Sequence, residues 1–166
     1  MKRLSILLIT IIILFTSNIA VEAYDVSGDH VVFSDGSKVF YFDDGSRLVI
    51  TAPKILFEGV DQSKSQQSKT TQASYSFQNT SGETEWIYTL TCTFSYEYGV
   101  SSVCTDAHYD QTIYKGNWTF SNGATSISGN RGSGTGLYTE KFLFITIRSI
   151  NVSLTMACDI YGNVTA

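Results

Sequence analysis

The sequence predicts an all-β protein, an N-terminal β-meander followed by an immunoglobulin-like β-sandwich, with a small β-barrel as the alternative. Three observations carry this expectation. Tyrosine, phenylalanine, threonine, valine and isoleucine dominate, and one proline, Pro53, stands in 166 residues, a mix that favours strands and seldom interrupts them. Strict alternation marks Trp86 to Tyr96: Trp86, Tyr88, Leu90, Cys92, Phe94 and Tyr96 share one parity, while Thr89, Thr91, Thr93 and Ser95 fall on the other. Turn dipeptides recur at short spacing, at Asp35-Gly36, Asp44-Gly45 and Asn122-Gly123.

The chain opens with Lys2 and Arg3, an apolar run from Leu4 to Phe15, and small residues in Val21-Glu22-Ala23. This is the pattern of a secretory signal peptide, residues 1–23, cleaved after Ala23; the run is short for a membrane anchor. The expected localisation is therefore secreted and extracellular, with no membrane span after cleavage.

Residues 24–57 read as the meander. Two-residue turns at 35–36 and 44–45 would set Val32 opposite Val39 and Tyr41 opposite Leu48. Residues 58–74 are rich in Ser, Gln, Lys and Thr and read as a polar linker or loop. Residues 75–166 form the expected sandwich domain. Its alternating strand Trp86–Tyr96 returns through Glu97-Tyr98-Gly99 to a strand near Val100–Ala107. Further strands are expected at 109–114, 117–120 and 125–128. Leu143, Ile145 and Ile147 are odd, whereas Ile150, Val152, Leu154, Met156 and Cys158 are even. A strand cannot change faces without an extra residue, so a bulge or bend is expected at Arg148-Ser149.

Composition excludes several functions. A formal net charge of −4 and no basic patch leave nothing to neutralise a phosphate backbone, so no nucleic acid is expected. The aspartates of the two Asp-Gly turns lack the alternating oxygen ligands and distal glutamate of a calcium loop, and turn chemistry accounts for them. The glycine-rich stretch 128–136 lacks a Gly-Lys-Ser/Thr ending, so it reads as a flexible loop or as a strand allowing close packing of sheets. His108 stands four residues from Cys104, roughly 13 Å along an extended chain, too far for a nucleophile and its base. Neither an enzyme nor a cofactor is expected. Trp86, Trp118 and several tyrosines could stack on a sugar, although core packing is the commoner use of such residues; Tyr98, in a turn, is the best exposed candidate and Trp118 the second. Asn79, Asn117, Asn151 and Asn163 head Asn-x-Ser/Thr sequons.

Three cysteines, Cys92, Cys104 and Cys158, leave one thiol over in a secreted chain. Cys104–Cys158 would pin distant strands, and Cys92–Cys104 would cross a hairpin; both pairings are open from the residues. No Cys-x-x-Cys is present, so no metal site is expected.

The stretches Tyr41-Phe-Asp-Asp-Gly-Ser46, Trp86–Tyr96, Ser101-Ser-Val-Cys104-Thr105, Trp118, Ser128-Gly-Asn130 and Cys158-Asp-Ile-Tyr-Gly-Asn163-Val164 follow one another in an order that resembles small secreted proteins of unknown function from Gram-positive, often gut-dwelling, bacteria. In that group a Phe-Asp/Glu-Asp-Gly-Ser stretch precedes a Cys…Trp…Cys β-domain. A glycine commonly stands where this chain has Cys92. The resemblance thus implies a Cys104–Cys158 disulfide with Cys92 as the free thiol, and it brings no activity. The expected function is that of a secreted, non-enzymatic protein binding an extracellular protein or glycan. A carbohydrate-binding module and a secreted antagonist or toxin are the alternatives.

Overall fold

Alternation at Trp86–Tyr96 becomes a long strand one in from the edge of the larger sheet of a sandwich. The computed structural model describes residues 23–24, 30–61 and 66–166; residues 1–22 of the expected leader lie outside the described residues. The described strands are β1 (Ala23–Tyr24), β2 (His30–Val32), β3 (Lys38–Tyr41), β4 (Arg47–Ile50), β5 (Lys54–Asp61), β6 (Gln66–Gln78), β7 (Thr84–Glu97), β8 (Ser101–Ile113), β9 (Trp118–Ser128), β10 (Arg131–Phe142), β11 (Ile145–Cys158) and β12 (Val164–Thr165). Seven form one sheet in the order β2-β3-β4-β6-β7-β8, with β5 also on β6. Five form the other, β1-β11-β10-β9, with β12 on β11. Every pairing is antiparallel except β1 on β11. The all-β sandwich is thus present, and neither sheet closes into a barrel. Successive strands are mostly joined as hairpins, whereas an immunoglobulin domain uses Greek-key crossings.

The register of the meander differs from expectation by one residue. Val39 faces Val31 and Val49, and Phe40 faces His30 and Leu48. The cause is turn length. Phe33 N–H donates to Ser37 O and Gly36 N–H to Phe33 O, both at 2.9 Å, which makes a three-residue loop with Gly36 at φ +82°. The loop at Phe42–Ser46 repeats this geometry, with Gly45 at φ +82°. Each aspartate accepts from the backbone N–H and the hydroxyl of the serine two residues on: Ser37 to Asp35, Ser46 to Asp44. Two further turns share the same pair of backbone bonds, Asn79–Glu83 and Asp159–Asn163. The doubled Asp-Gly-Ser motif is therefore half of a set of four equivalent turns.

The expected linker 58–74 is a second correction. Residues 54–61 and 66–78 are strands, and β6 lies between β4/β5 and β7 inside the larger sheet. The meander is thereby continuous with that sheet. Lys69, Thr71, Ala73, Tyr75 and Phe77 alternate inward along β6 and are buried. Polar and small residues on its buried face hide the strand from a reading based on hydrophobic alternation.

Along β8 and β9 two other expectations change. Asn122-Gly123 makes no turn: Asn122, at φ +55°, sits in a bulge of a continuous β9, where the β9–β10 register shifts. The strands expected at 100–107 and 109–114 are one strand, β8, with an irregularity at Thr105. The glycine-rich stretch enters β10, where Gly132, Gly134 and Gly136 point inward with Tyr138. A methyl at Gly134 would stand 2.4 Å from Tyr88 Oη and 2.9 Å from Leu90 Cδ1, so the glycines let the large residues of β7 approach β10. The face change in β11 is a bulge, at Ile147: Glu140 pairs with Arg148, but Lys141 pairs with Thr146.

Both sheets meet in an aromatic core. Trp86 stacks on Tyr138 with ring centroids 3.7 Å apart and planes 7° apart, and Phe77 covers its other side at 5.7 Å. Tyr138 donates to Ile87 O at 3.1 Å and Tyr75 to Ser153 O at 2.9 Å, each crossing between sheets. At the edge of this core Arg148 ties β11 to the β3–β4 turn. It donates to Ser46 Oγ at 2.8 Å and pairs with Asp44, and its guanidinium lies 5.2 Å from the centre of the Phe42 ring. Burial raises the Asp44 pKa, but hydrogen bonds from Ser46 and the charge of Arg148 outweigh it and hold the carboxyl below its ordinary value.

Two outcomes follow. Gly134→Ala is expected to lower unfolding free energy by about 1–3 kcal/mol, read by urea denaturation, because the fully buried Tyr88 and Leu90 leave its methyl no room. Asp44→Asn is expected to cost less than about 1 kcal/mol at pH 7, since the pair is part-exposed. A carboxyl depressed in the folded state stabilises above its unfolded pKa and loses that contribution as pH falls through the folded one, so the difference between wild type and Asp44→Asn should shrink in urea titrations as pH drops below the ordinary aspartate value of about 3.9.

Candidate functional site

The β7–β8 turn and the β11–β12 turn lie together at one end of the sandwich. Val100 N–H bonds back to Glu97 O at 2.9 Å, and Gly99 takes φ +74°. Gly99 N–H then donates to Ile160 O at 2.8 Å and fastens one turn to the other. The second turn is set by Asp159, whose Oδ1 accepts from the Tyr161 and Asn163 N–H groups, both at 2.8 Å. Hydrogen bonds from Asn163 hold the Asp159 carboxyl below the ordinary range. The result is a pair of tyrosines, Tyr98 and Tyr161, with ring centroids 5.4 Å apart at 68°. Both are exposed, Tyr98 by 66 %.

Behind this pair, Gly162 rests on the ring of Tyr96: a Cβ there would be 2.5 Å from the ring carbon Cζ. Lys69 reaches the same turn from β6, donating to Gly162 O at 2.7 Å and pairing with Glu58 at 3.1 Å. Its ammonium lies 5.6 Å from the centre of the Tyr96 ring. The Tyr96 hydroxyl is 2.6 Å from Gln67 Oε1 and 3.2 Å from Glu58 Oε1. A hydrogen bond from Lys69, together with its charge, keeps the Glu58 carboxyl below its ordinary pKa. An open cleft of about 220 Å³ lies between Pro53, Ile55, Lys69, Thr71 and residues 162–164. This end therefore offers two exposed rings beside a cleft floored by a mostly buried, already paired cation. It can grip an apolar or planar group, with carbonyl and carboxylate groups at the rim.

The sequence-derived candidates divide. Tyr98 is exposed in its turn, as expected. Trp118 is 3 % exposed, donates its indole N–H to Glu85 Oε2 at 2.6 Å and packs edge-on against Trp86, so it has no free face for stacking. Tyr161 escaped the sequence reading because its closeness to Tyr98 depends on the pairing of two distant turns. Lys69 escaped it with the rest of β6.

The thiols are a further correction. Cys92, Cys104 and Cys158 are all buried and free, so the disulfide implied between Cys104 and Cys158 is not formed. A methyl on Gly132 would lie 2.5 Å from the Cys92 sulfur and 3.0 Å from the Cys104 sulfur, so those two share one small space. Cys104 pairs with Phe94 and Ala107 with Cys92; the extra residue Thr105 puts Cys104 and Ala107 on the same inner face, Ala107 directly opposite Cys92 and Cys104 diagonal to it. Cys158 instead lies near the end of β11, its sulfur 3.4 Å from Asp159 O. Burial, reinforced by the neighbouring Cys104, pushes the Cys92 thiol up to about 12; burial also raises Cys104 and Cys158. His108 pairs with Asp106 at 3.0 Å on the exposed face, away from the buried Cys104. No group of three or more His, Cys, Asp or Glu side chains among the described residues is arranged to hold a metal ion.

No protein-family model, curated protein or solved structure matches the chain.

At pH 8 a thiol of pKa near 12 is ionised to only about one part in ten thousand, so native Cys92 is expected to resist alkylation until the protein is unfolded. Under added oxidant, non-reducing peptide mapping should recover Cys92–Cys104. Recovery of Cys104–Cys158 would contradict the shared thiol space.

Proposed function

We propose that this is a secreted, non-enzymatic β-sandwich protein that binds an extracellular or cell-surface protein through the end carrying Tyr98 and Tyr161. The observation that carries this reading is the exposed tyrosine pair, held by two turns that are hydrogen-bonded to each other. Exposed tyrosines on a rigid support are the side chains that anchor protein interfaces, because they bury much area and lose little rotamer freedom. The N-terminal leader pattern supports export, and the resemblance to secreted bacterial proteins points the same way. Buried thiols of raised pKa and an outward-facing histidine support a binding role over nucleophilic catalysis.

Glycan binding is the second reading, favoured by the same exposed rings. Their 68° angle makes an edge-to-face pair and not the flat platform on which a sugar ring lies, so a protein partner is preferred.

Affinity capture from cell-surface extract, run beside a glycan array, tests the choice. Tyr98→Ala with Tyr161→Ala is expected to weaken capture by about 30-fold or more, the loss typical of removing an interface anchor. Undiminished capture by the double variant would overturn the assignment, and array binding lost in the variant would move it to glycans.

A further inference from the structure

The opposite end of the sandwich carries a different surface. β10 keeps its ladder with β9 as far as the Glu140–Trp118 pair, and β1 joins β11 only at Ser149 and Ile150. Lys141 N–H still donates to Asn117 O at 2.8 Å; beyond it, residues 142–147 form a two-stranded ribbon whose tip lies roughly 10 Å past the Glu140–Arg148 pair. Its apex is Phe142-Leu143-Phe144-Ile145. All four are exposed, Leu143 by 77 % and Phe144 by 98 %, and Ile147 follows them outward. Past the Ile147 bulge Ile145 pairs with Phe142 and both are exposed, whereas Ile150 and the even residues after it in β11 are buried. Leu143 holds φ +57°, a left-handed conformation that asparagine or glycine would adopt at less cost. A leucine there places apolar surface on the tip at the expense of turn preference.

We propose that this apex is a membrane-docking element that inserts its four apolar side chains into the interface of a lipid bilayer. Three features favour a bilayer over a protein groove. The surface is convex and sits at the end of a narrow ribbon, a shape that a soft, deformable medium receives without a preformed pocket. The apex has no charge, while Lys141 directly behind it is exposed, as an interfacial side chain must be to remain among headgroups. Finally, β1 runs parallel to β11 and so begins on the apex side of the sheet. In sequence, only residues 16–22 separate Ala23 from the apolar leader Leu4–Phe15. Whenever that leader is in a bilayer, this is the end of the sandwich nearest the lipid. The inference concerns the end remote from Tyr98 and Tyr161, and it stands or falls independently of the binding role proposed there.

The test uses the protein as its host releases it, with whatever N-terminus it then carries. Trp86 and Trp118, the two tryptophans of the chain, are both buried, so an indole placed on the surface is the one that reports. Phe144→Trp places it at the apex, and Phe33→Trp places it in the exposed β2–β3 turn, on the edge of the larger sheet and away from the apex. Vesicles of phosphatidylcholine, with and without phosphatidylglycerol and with brominated acyl chains, should blue-shift and quench the Phe144→Trp emission severalfold more than that of Phe33→Trp. A retained leader would bring both variants to the vesicle but would not place the apex indole among the acyl chains. Unchanged apex emission, or equal quenching of both reporters, overturns the proposal. So does a blue shift that grows with protein concentration without lipid, which would make the apex a contact between copies of the chain.

Discussion

The stack of Trp86 on Tyr138 is the contact on which the two sheets depend. One ring comes from β7 and the other from β10, and their 3.7 Å centroid separation fixes how closely the sheets approach there. That approach requires small residues on β10: Gly132 and Gly134 leave room for Cys92 and Tyr88 of the other sheet, and Gly136 leaves room for Phe120 of the neighbouring β9. It also leaves Trp86 Nε1 buried without a protein partner. An unmet donor of this kind costs about 1–3 kcal/mol, against which the indole gains burial on both faces, between Phe77 and Tyr138. Tyr138 avoids the same cost by donating to Ile87 O.

Elements whose buried face is apolar were legible in the sequence. β7 shows its inward set as plain alternation, and the parity change in β11 announced a bulge that lies at Ile147, one residue from Arg148. Turn positions were legible as well, but their lengths were not. Asp-Gly serves both two-residue and three-residue loops, and here the serine after the glycine decides, because its N–H and hydroxyl reach back to the aspartate. β6 was hidden for a different reason. Lys69 and Thr71 face inward because Gly162 O and Glu58 satisfy the first and the Met156 sulfur lies 3.7 Å from the second. Gly162 and Met156 arrive from far along the chain, and Glu58 from the neighbouring β5. Tyr98 could be found from its turn, whereas its pairing with Tyr161 could not, since Gly99 meets Ile160 only in the folded chain.

The two ends of the sandwich are built for unlike surroundings. At one, polar side chains and hydrogen-bonded turns hold aromatic rings against a cleft. At the other, Arg148 anchors the root of an apolar ribbon to the β3–β4 turn through Asp44, Ser46 and the Phe42 ring. Cys92 and Cys104 lie in neither place. They occupy the interior, where Gly132 makes room for Cys92 and Cys104, and their raised pKa values suit packing more than reactivity.

The hairpin connectivity also governs how the chain reaches this structure. In the larger sheet, β2 with β3, β3 with β4, β5 with β6, β6 with β7 and β7 with β8 are all sequence neighbours, as are β9 with β10 and β10 with β11 in the smaller sheet. Each can zip from its own turn with little loop to close, which lowers the contact order of an all-β protein and with it the entropic barrier that Greek-key sandwiches face. The pairing that spans nearly the whole chain, β1 on β11, has only two residue pairs and contributes little until the rest is in place. The order of assembly is therefore written mostly in the turns, beginning with those built on aspartate, glycine and the residue that follows.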